Sequence, residues 1–165
     1  VWAGTILSQQ APIVVIAEPG TEKEAIVRLG RIGFDDVAGY LEGGMAALKD
    51  RPDLVSSIQR LTARDLFEIR SAHDAPLILD VRSPREWEEE HIEESVNLPL
   101  NHLRERARTL PHDRDLVVHC QSGYRSAIAA SLLEQQGFGK IYDLVGGMDA
   151  WKATFPQLTK SNVMV

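Results

Sequence analysis

The sequence predicts an α/β fold in which a parallel sheet is flanked by helices. Apolar runs at 77–79, where the strand ends in charged residues, and at 116–118 lack the polar alternation of a one-sided sheet, so we expect buried central strands. Helical patterns separate these runs, which is typical of parallel strands joined by crossover helices. Parts of residues 12–48 recur 103 or 104 positions later, which indicates a repeated strand–helix–strand–helix unit.

Residues 1–53 are predicted to form half of a module of this fold, with strands at 13–17 and 36–41. Three of its segments match later ones: 12–17 with 115–120, 33–37 with 137–141, and 41–48 with 144–151. Ala17 stands where the later copy has Cys120, and loop 18–23 is read as one residue shorter and carries two carboxylates. Because half a module exposes a sheet edge and apolar helix faces, we expect it to pack on the second module, to form a homodimer, or both.

The second module is predicted as a complete domain over residues 58–157, after a charged, Pro-containing boundary near 51–57. Its first elements are a strand at 58–61, a helix at 63–72 capped by Thr62, a strand at 77–82, a helix from Pro84 capped by Ser83, and a helix at 101–110. Its later elements are the strand before Cys120, helix 126–136, strand 141–145, a turn at 146–147, helix 148–154 and a tail at 158–165.

Cys120 is the only cysteine and directly follows a strand, ahead of a loop and a helix rich in Ala and Leu. A lone buried cysteine is often only a small core residue. Here, however, the loop lies at the carboxyl end of a strand, where open α/β sheets bind ligands. The unsatisfied amides and the dipole of the following helix favour negative charge at that place. We therefore expect Cys120 to be a nucleophilic thiolate.

The spacing Cys-x-x-Gly-x-Arg-Ser at 120–126 resembles the active loop of the rhodanese family of sulfurtransferases. Further matching positions are Asp80, Val81, Arg82, Glu86, Trp87, His91, Ile92 and the run 97–100. The resemblance covers about 61–151 and departs from the family at Glu90, where Gly is common. It implies that the loop cysteine becomes a persulfide during turnover, whereas the segment containing Ala17 would be inactive.

The resemblance implies transfer of sulfane sulfur from thiosulfate or a low-molecular-weight persulfide to a thiol or cyanide, through a persulfide on Cys120. We assign as loop residues around the persulfide Gln121, Ser122, Gly123, Tyr124, Arg125 and Ser126, and as supporting residues Asp80, Arg82 and Glu86. Ser126 is expected to cap the helix and contact the sulfur. Arg125 either attracts an anionic donor or pairs with Asp80 or Glu86.

The remaining candidate side chains are assigned structural roles. We expect His119 and His91 to pack and form hydrogen bonds rather than act as bases, because a thiolate stabilised by amides needs none. Trp87 and Trp151 are expected to fill the core. No cofactor or metal is expected, since the Glu-rich run 86–94 lacks paired ligands at a suitable spacing.

Two alternatives stay open at this point. A phosphatase or arsenate reductase of the same fold would use Cys120 on an oxyanion, but family phosphatases enclose five residues between cysteine and arginine, and this loop encloses four. A non-catalytic interaction module is the second alternative, for which the Cys-less first half is a precedent within this chain.

Composition limits the partners and the compartment. A net charge of −6 argues against nucleic acid and anionic membranes, and no apolar run approaches the roughly 18 residues of a membrane span. A single cysteine cannot form an internal disulfide, which suits a reducing, cytoplasmic compartment. The tandem also resembles the C-terminal part of bacterial fusions of a metallo-β-lactamase-like persulfide dioxygenase with rhodanese modules. We therefore expect a longer polypeptide with a metal-binding domain upstream.

Overall fold

The computed structural model describes residues 2–161, in two compact units, Val1–Ser57 and Ile58–Val165. The first unit contains a short helix α1 (Trp2–Ile6), strand β1 (Ile13–Val15), helix α2 (Glu22–Gly30), strand β2 (Val37–Tyr40) and 3₁₀ turns at Gly44–Leu48 and Pro52–Leu54. Strands β1 and β2 pair in parallel. Both strands lie within the predicted ranges and are shorter than them.

The first unit buries little of its apolar surface. Val15 and Phe34 are its buried large hydrophobic residues among those described. Many others remain exposed on strands, helix and turns: Val14, Ile16, Val27, Ile32, Tyr40, Met45 and Leu54. A two-stranded sheet offers only a small area for packing, so the apolar side chains of this unit are left largely uncovered.

The second unit is built on a five-stranded parallel sheet in the order β3-β8-β7-β4-β6. Its strands are β3 (Gln59–Leu61), β4 (Leu77–Asp80), β6 (Val96–Asn97), β7 (Leu116–His119) and β8 (Ile141–Leu144). Its helices are α3 (Ala63–Ile69), α4 (Pro84–Glu89), α5 (Leu100–Arg106), α6 (Tyr124–Gln135) and α7 (Gly147–Thr154). The predicted fold, a parallel sheet flanked by helices, is therefore confirmed.

The centre of this sheet is the most buried part of the chain. All four residues of β7 are buried, and α3 packs against α7 while α5 packs against α6. A cluster that includes Leu66, Met148 and the fully buried Trp151 forms the core beside the sheet. Strand β7 lies between β4 and β8, so its carboxyl end opens at the middle of one sheet edge. The fold thereby places the residue after β7 at the usual ligand position of an open α/β sheet.

Helix starts agree with the predicted caps in two cases and differ in a third. Thr62 and Ser83 each form a capping box, with Asp65 and Glu86 as the reciprocal partners. Helix α6, however, begins at Tyr124 after Gly123, so the prediction of Ser126 as its cap is wrong. Gly123 has a φ of +117°, and this left-handed turn lets the chain enter the helix two residues earlier than predicted.

Other boundaries also need correction. Helix α3 ends at Ile69 rather than near residue 72, and the helix predicted over 101–110 becomes α5 followed by a 3₁₀ turn at Ala107–Thr109. The predicted tail contains strand β9 (Thr159–Lys160), which pairs antiparallel with β5 (His91–Ile92). The last four positions of that tail, 162–165, lie outside the described residues.

The two loops that follow β1 and β7 carry a glycine at equivalent positions. Gly20 lies three residues after Ala17, as Gly123 does after Cys120, and both have positive φ. The prediction of a shorter first loop is therefore wrong. Helix α2 has 9 residues and α6 has 12, and the segments on either side of α2 are each one residue longer, so the first copy is shorter by one residue in all.

Candidate active site

Cys120 lies directly after β7, and its side chain is almost fully buried, at 1% exposure. The Gly123 backbone N–H donates to the Cys120 sulfur over 3.2 Å. The thiol in turn lies 3.6 Å from the Ser126 hydroxyl oxygen, and that hydroxyl donates to the Gly123 carbonyl. Ser126 therefore contacts the sulfur, as predicted, from within the first turn of α6. An amide donor and a helix N-terminus at the sulfur favour an anionic sulfur species.

The first turn of α7 binds the backbone carbonyl groups of the Cys120 loop. Met148 N–H donates to the Cys120 carbonyl over 2.8 Å, and Asp149 N–H donates to the Gln121 carbonyl over 3.1 Å. Gly147, with a φ of +54°, lies so close that a Cβ atom there would collide with the Cys120 carbonyl oxygen. The sequence predicts only a turn at 146–147. The signal that could have revealed the role was the recurrence of the same Gly-Gly pair in both repeats.

Asp80 and Arg82 form a buried pair behind the loop, with 0% and 1% exposure. The Arg82 guanidinium donates to both Asp80 carboxylate oxygens, with a shortest distance of 2.7 Å. It also donates to the Gln121 side-chain oxygen over 3.0 Å and to the Glu90 carbonyl over 2.6 Å. Because five donors in a fixed plane reach three different segments, Arg82 fixes the loop residue that follows Cys120.

Arg125 pairs with Glu86 through two hydrogen bonds of 2.7 and 2.8 Å. Of the two interpretations of Arg125, the structure shows the pairing one. The Arg125 guanidinium, together with the Ser83 hydroxyl and amide, outweighs partial burial and lowers the pKa of Glu86 to about 2. The same contact raises the pKa of Arg125. The pair links α4 to α6 beside the sulfur and keeps both groups charged at neutral pH.

The remaining loop side chains differ widely in exposure. Gln121 is half-buried, Ser122 is exposed, and Tyr124 is 69% exposed. Their side chains therefore line the open side of the loop, whereas Ser126 faces inward. Ser122 and Tyr124 have no side-chain hydrogen bond to the sulfur among the described contacts.

The two histidines and the two tryptophans hold structural positions. His119 is fully buried, and burial lowers its pKa against the opposing effect of nearby Asp80, so its ring is neutral. One of its ring nitrogens lies 3.3 Å from the Cys120 carbonyl oxygen. His91 stacks on Trp87 with ring centroids 4.0 Å apart. Trp151 fills the core as predicted, but Trp87 is only half-buried.

Comparison with known proteins identifies the domain that carries this loop. A family model described as a rhodanese-like domain matches residues 62–154, more than half of the chain. The chain belongs to the rhodanese family. The match includes the two buried strands, the Cys120 loop and α7, and it starts after the first unit.

The curated relatives of this chain include proteins named as sulfurtransferases. An Allochromatium vinosum protein named sulfurtransferase is 40% identical over 75 residues, which are 46% of this chain and 70% of that protein. A Pseudomonas syringae thiosulfate sulfurtransferase, GlpE, is 39% identical over 83 residues, covering 50% of this chain and 78% of that one. A solved rhodanese-related protein from Thermoplasma volcanium superposes with a TM-score of 0.54 at 36% identity, covering 58% of this chain and 92% of that chain.

The described residues offer neither a metal site nor a membrane-spanning helix. Within 2–161, no group of three or more His, Cys, Asp and Glu side chains is arranged to hold a metal ion. No helix in that range has the length and apolarity needed to cross a bilayer.

Proposed function

We propose that this rhodanese is a sulfurtransferase that carries sulfane sulfur as a persulfide on Cys120. The observation that supports this most directly is the Gly123 N–H donating to the Cys120 sulfur in a four-residue loop at the carboxyl end of β7. Thiosulfate and low-molecular-weight persulfides are the proposed donors. A thiol or cyanide is the proposed acceptor.

The proposed reaction has two displacement steps. The Cys120 thiolate attacks the outer sulfur of the donor, a new S–S bond forms at Cys120, and the old S–S bond of the donor breaks. With thiosulfate the leaving group is sulfite, and with an alkyl persulfide it is the alkyl thiolate. The acceptor thiolate or cyanide then attacks the outer sulfur and restores the Cys120 thiolate. No electrons are gained or lost overall.

The residues of this chain support those steps by holding charge and geometry. The Gly123 amide and the start of α6 face the sulfur, so they stabilise the anionic persulfide without a proton donor. Arg82 holds Gln121, and the Arg125–Glu86 pair holds the first turn of α6 against α4. Both contacts fix the loop before the donor arrives, which lowers the cost of ordering it during the reaction.

Oxyanion hydrolysis is the competing function. Only four residues separate Cys120 from Arg125, and the Arg125 side chain is held by two bonds to Glu86. A phosphate would need a wider loop and an arginine directed at its oxygens. Both features favour sulfur transfer.

The test is the intact mass of the protein after incubation with thiosulfate or an alkyl persulfide, before and after cyanide. We expect a gain of one sulfur atom that cyanide removes. Cys120→Ala must abolish the gain, whereas Ser131→Ala, a change at an exposed position of α6 outside the loop, must retain it. Absence of any adduct, together with hydrolysis of p-nitrophenyl phosphate that depends on Cys120, would replace sulfur transfer by phosphatase activity.

We also propose that the first unit is the second half of a degenerate rhodanese module, with residues 1–53 as its extent. The support comes from the repeated segments, the parallel β1–β2 pair and the matching glycines. The fusion with an upstream metallo-β-lactamase-like domain belongs with this proposal. Mass analysis of the native protein from cells would test it.

A further inference from the structure

The cationic side chains near the Cys120 loop are already paired with carboxylates. Arg82 pairs with Asp80, Arg125 with Glu86, and Lys152 with Glu90. The Asp80–Arg82 pair is buried, so neither group can turn outward to meet a ligand. Among the residues that the structure describes, each of these three cations near the loop is therefore neutralised by its own carboxylate partner. None of the three is left as a free positive charge for an anionic donor.

Asp149 is the carboxylate of this region whose partner is neutral. Its side chain accepts a hydrogen bond from the Gln121 side-chain amide, and its backbone N–H donates to the Gln121 carbonyl. No cation lies within ion-pair distance of it among residues 2–161. The side chain is exposed, in the first turn of α7. Asp149 therefore adds one uncompensated negative charge next to the residue that follows Cys120.

The net charge of these side chains disfavours the approach of a dianionic donor to Cys120. The three cations, their three carboxylate partners and Asp149 together sum to −1 before the Cys120 thiolate is counted. Charges at a protein surface interact over about one Debye length, roughly 8–10 Å at ordinary ionic strength. Thiosulfate brings two negative charges into this range, whereas a donor with an ammonium group brings a positive one.

We propose that Asp149 is a specificity-determining residue that disfavours dianionic donors such as thiosulfate and favours alkyl persulfides that carry an ammonium group. This inference rests on the proposed sulfur transfer and narrows its donor class. In the favoured step, the Cys120 thiolate takes the outer sulfur of R–S–SH, the donor S–S bond breaks, and the alkyl thiolate leaves with the electron pair. The hydrogen stays on the transferred sulfur, so atoms and charge balance.

The test measures the second-order rate of persulfide formation on Cys120 by quenched mass spectrometry, with thiosulfate and with cysteamine persulfide as donors. The main variant is Asp149→Asn, which keeps an oxygen that can accept from Gln121 and removes the charge. Asp149→Glu keeps the charge. Glu105→Gln, an exposed position on α5, removes the same charge from elsewhere in the unit.

At low ionic strength we expect Asp149→Asn to raise the rate with thiosulfate about two- to fivefold and to lower the rate with cysteamine persulfide about twofold. Asp149→Glu should keep the native ratio of the two rates, as should Glu105→Gln, and about 0.5 M salt should remove most of the Asn effect. Equal shifts for both donors in Asp149→Asn, or the same change of ratio in Glu105→Gln, would overturn the inference. If neither donor loads Cys120 in the native protein, the proposed function itself fails.

Discussion

The two loops that follow β1 and β7 share a backbone arrangement and differ in chemistry. Gly43 and Gly146 have φ values of +79° and +72°, and Gly44 and Gly147 have +57° and +54°. A Cβ at Gly44 would collide with the Ala17 carbonyl oxygen, as one at Gly147 would with that of Cys120. The hydrogen bonds differ at the glycine that lies three residues after Ala17 or Cys120. In the second unit Gly123 N–H donates to the Cys120 sulfur, whereas in the first unit Gly20 N–H donates to the Glu22 carboxylate.

This comparison shows that the loop scaffold and the reactive group are separable. In the first unit the Gly20 amide donates to the carboxylate of Glu22, whereas the equivalent Gly123 amide of the second unit donates to the sulfur of Cys120. The two units also differ in what lies behind the loop. The second unit contains the buried charges Asp80 and Arg82, and the described residues of the first unit contain no buried charged side chain. Each of these differences can be tested separately.

The largest expected effect comes from the buried pair. Arg82→Met leaves Asp80 buried without its cation, and breaking a buried ion pair costs about 3–5 kcal/mol of unfolding free energy. Urea denaturation followed by tryptophan fluorescence measures it, because Trp87 and Trp151 both lie in the second unit. As a control, Arg85→Met breaks an exposed pair with Glu89 and should cost less than about 1 kcal/mol. Equal losses in both variants would contradict the assigned role of Arg82.

The matched glycines give the second prediction. Gly147→Ala and Gly44→Ala each add a methyl group against a carbonyl at positive φ, so we expect each to destabilise its own unit by about 2–4 kcal/mol. Only Gly147→Ala should also slow sulfur loading, because only that carbonyl belongs to the loop of Cys120. Loading is measured under conditions where circular dichroism shows the native fold. A native loading rate in Gly147→Ala would show that α7 does not position the loop.

The strands and the position of the site could be predicted from the sequence because they depend on local patterns. The apolar run at 77–79 and the apolar residues before Cys120 mark the two central strands, and both strands lie in the buried centre of the sheet, as expected. The start of α6 could not be read from Ser126, since a glycine with positive φ turns the chain earlier. Strand β9 has two residues, too few for any periodicity to show.

Side-chain pairing was the least predictable level. The sequence left open whether Arg125 attracts an anionic donor or pairs with a carboxylate such as Asp80 or Glu86, and the outcome depends on where α4 places its first turn. Glu86 reaches Arg125 and the Ser83 cap together. The Lys152–Glu90 pair lies 62 residues apart in sequence and joins elements whose spacing only the folded sheet defines. Nothing in the sequence distinguishes Asp149, because a single acidic residue in the first turn of a helix is ordinarily explained by its favourable interaction with the helix dipole.

The pair of Glu86 and Arg125 gives a smaller effect with a defined pH dependence. The pKa of Glu86 falls from 4.5 to about 2 on folding, chiefly because of the Arg125 hydrogen bonds. Its contribution to stability is therefore complete above about pH 4.5 and is lost as the pH falls towards 2. Because Glu86 is about one-third exposed, we expect Glu86→Gln to cost only about 1 kcal/mol at neutral pH. Urea denaturation should show this difference shrinking between pH 4.5 and 2, and a constant difference would contradict it.

The smallest expected effect concerns the first unit, where a cysteine placed after β1 should acquire no sulfur. Ala17→Cys in a Cys120→Ala background restores a cysteine at the position after the strand, and we expect no sulfur adduct from thiosulfate or from an alkyl persulfide. Glu22 holds the Gly20 amide over 2.9 Å, and a second carboxylate, Glu18, lies in the same loop, so a thiolate there would meet negative charge instead of a free donor.

Adding Glu22→Gln to that variant separates the two explanations. Loading that appears only in the variant carrying both Ala17→Cys and Glu22→Gln would mean that the carboxylate alone silences the loop. Loading by Ala17→Cys without that second change would contradict the prediction, since the glycine scaffold would then suffice for chemistry. If neither variant loads, the buried support present in the second unit is required as well. In that case the Asp80–Arg82 pair, and not only the loop, accounts for the difference between the two units.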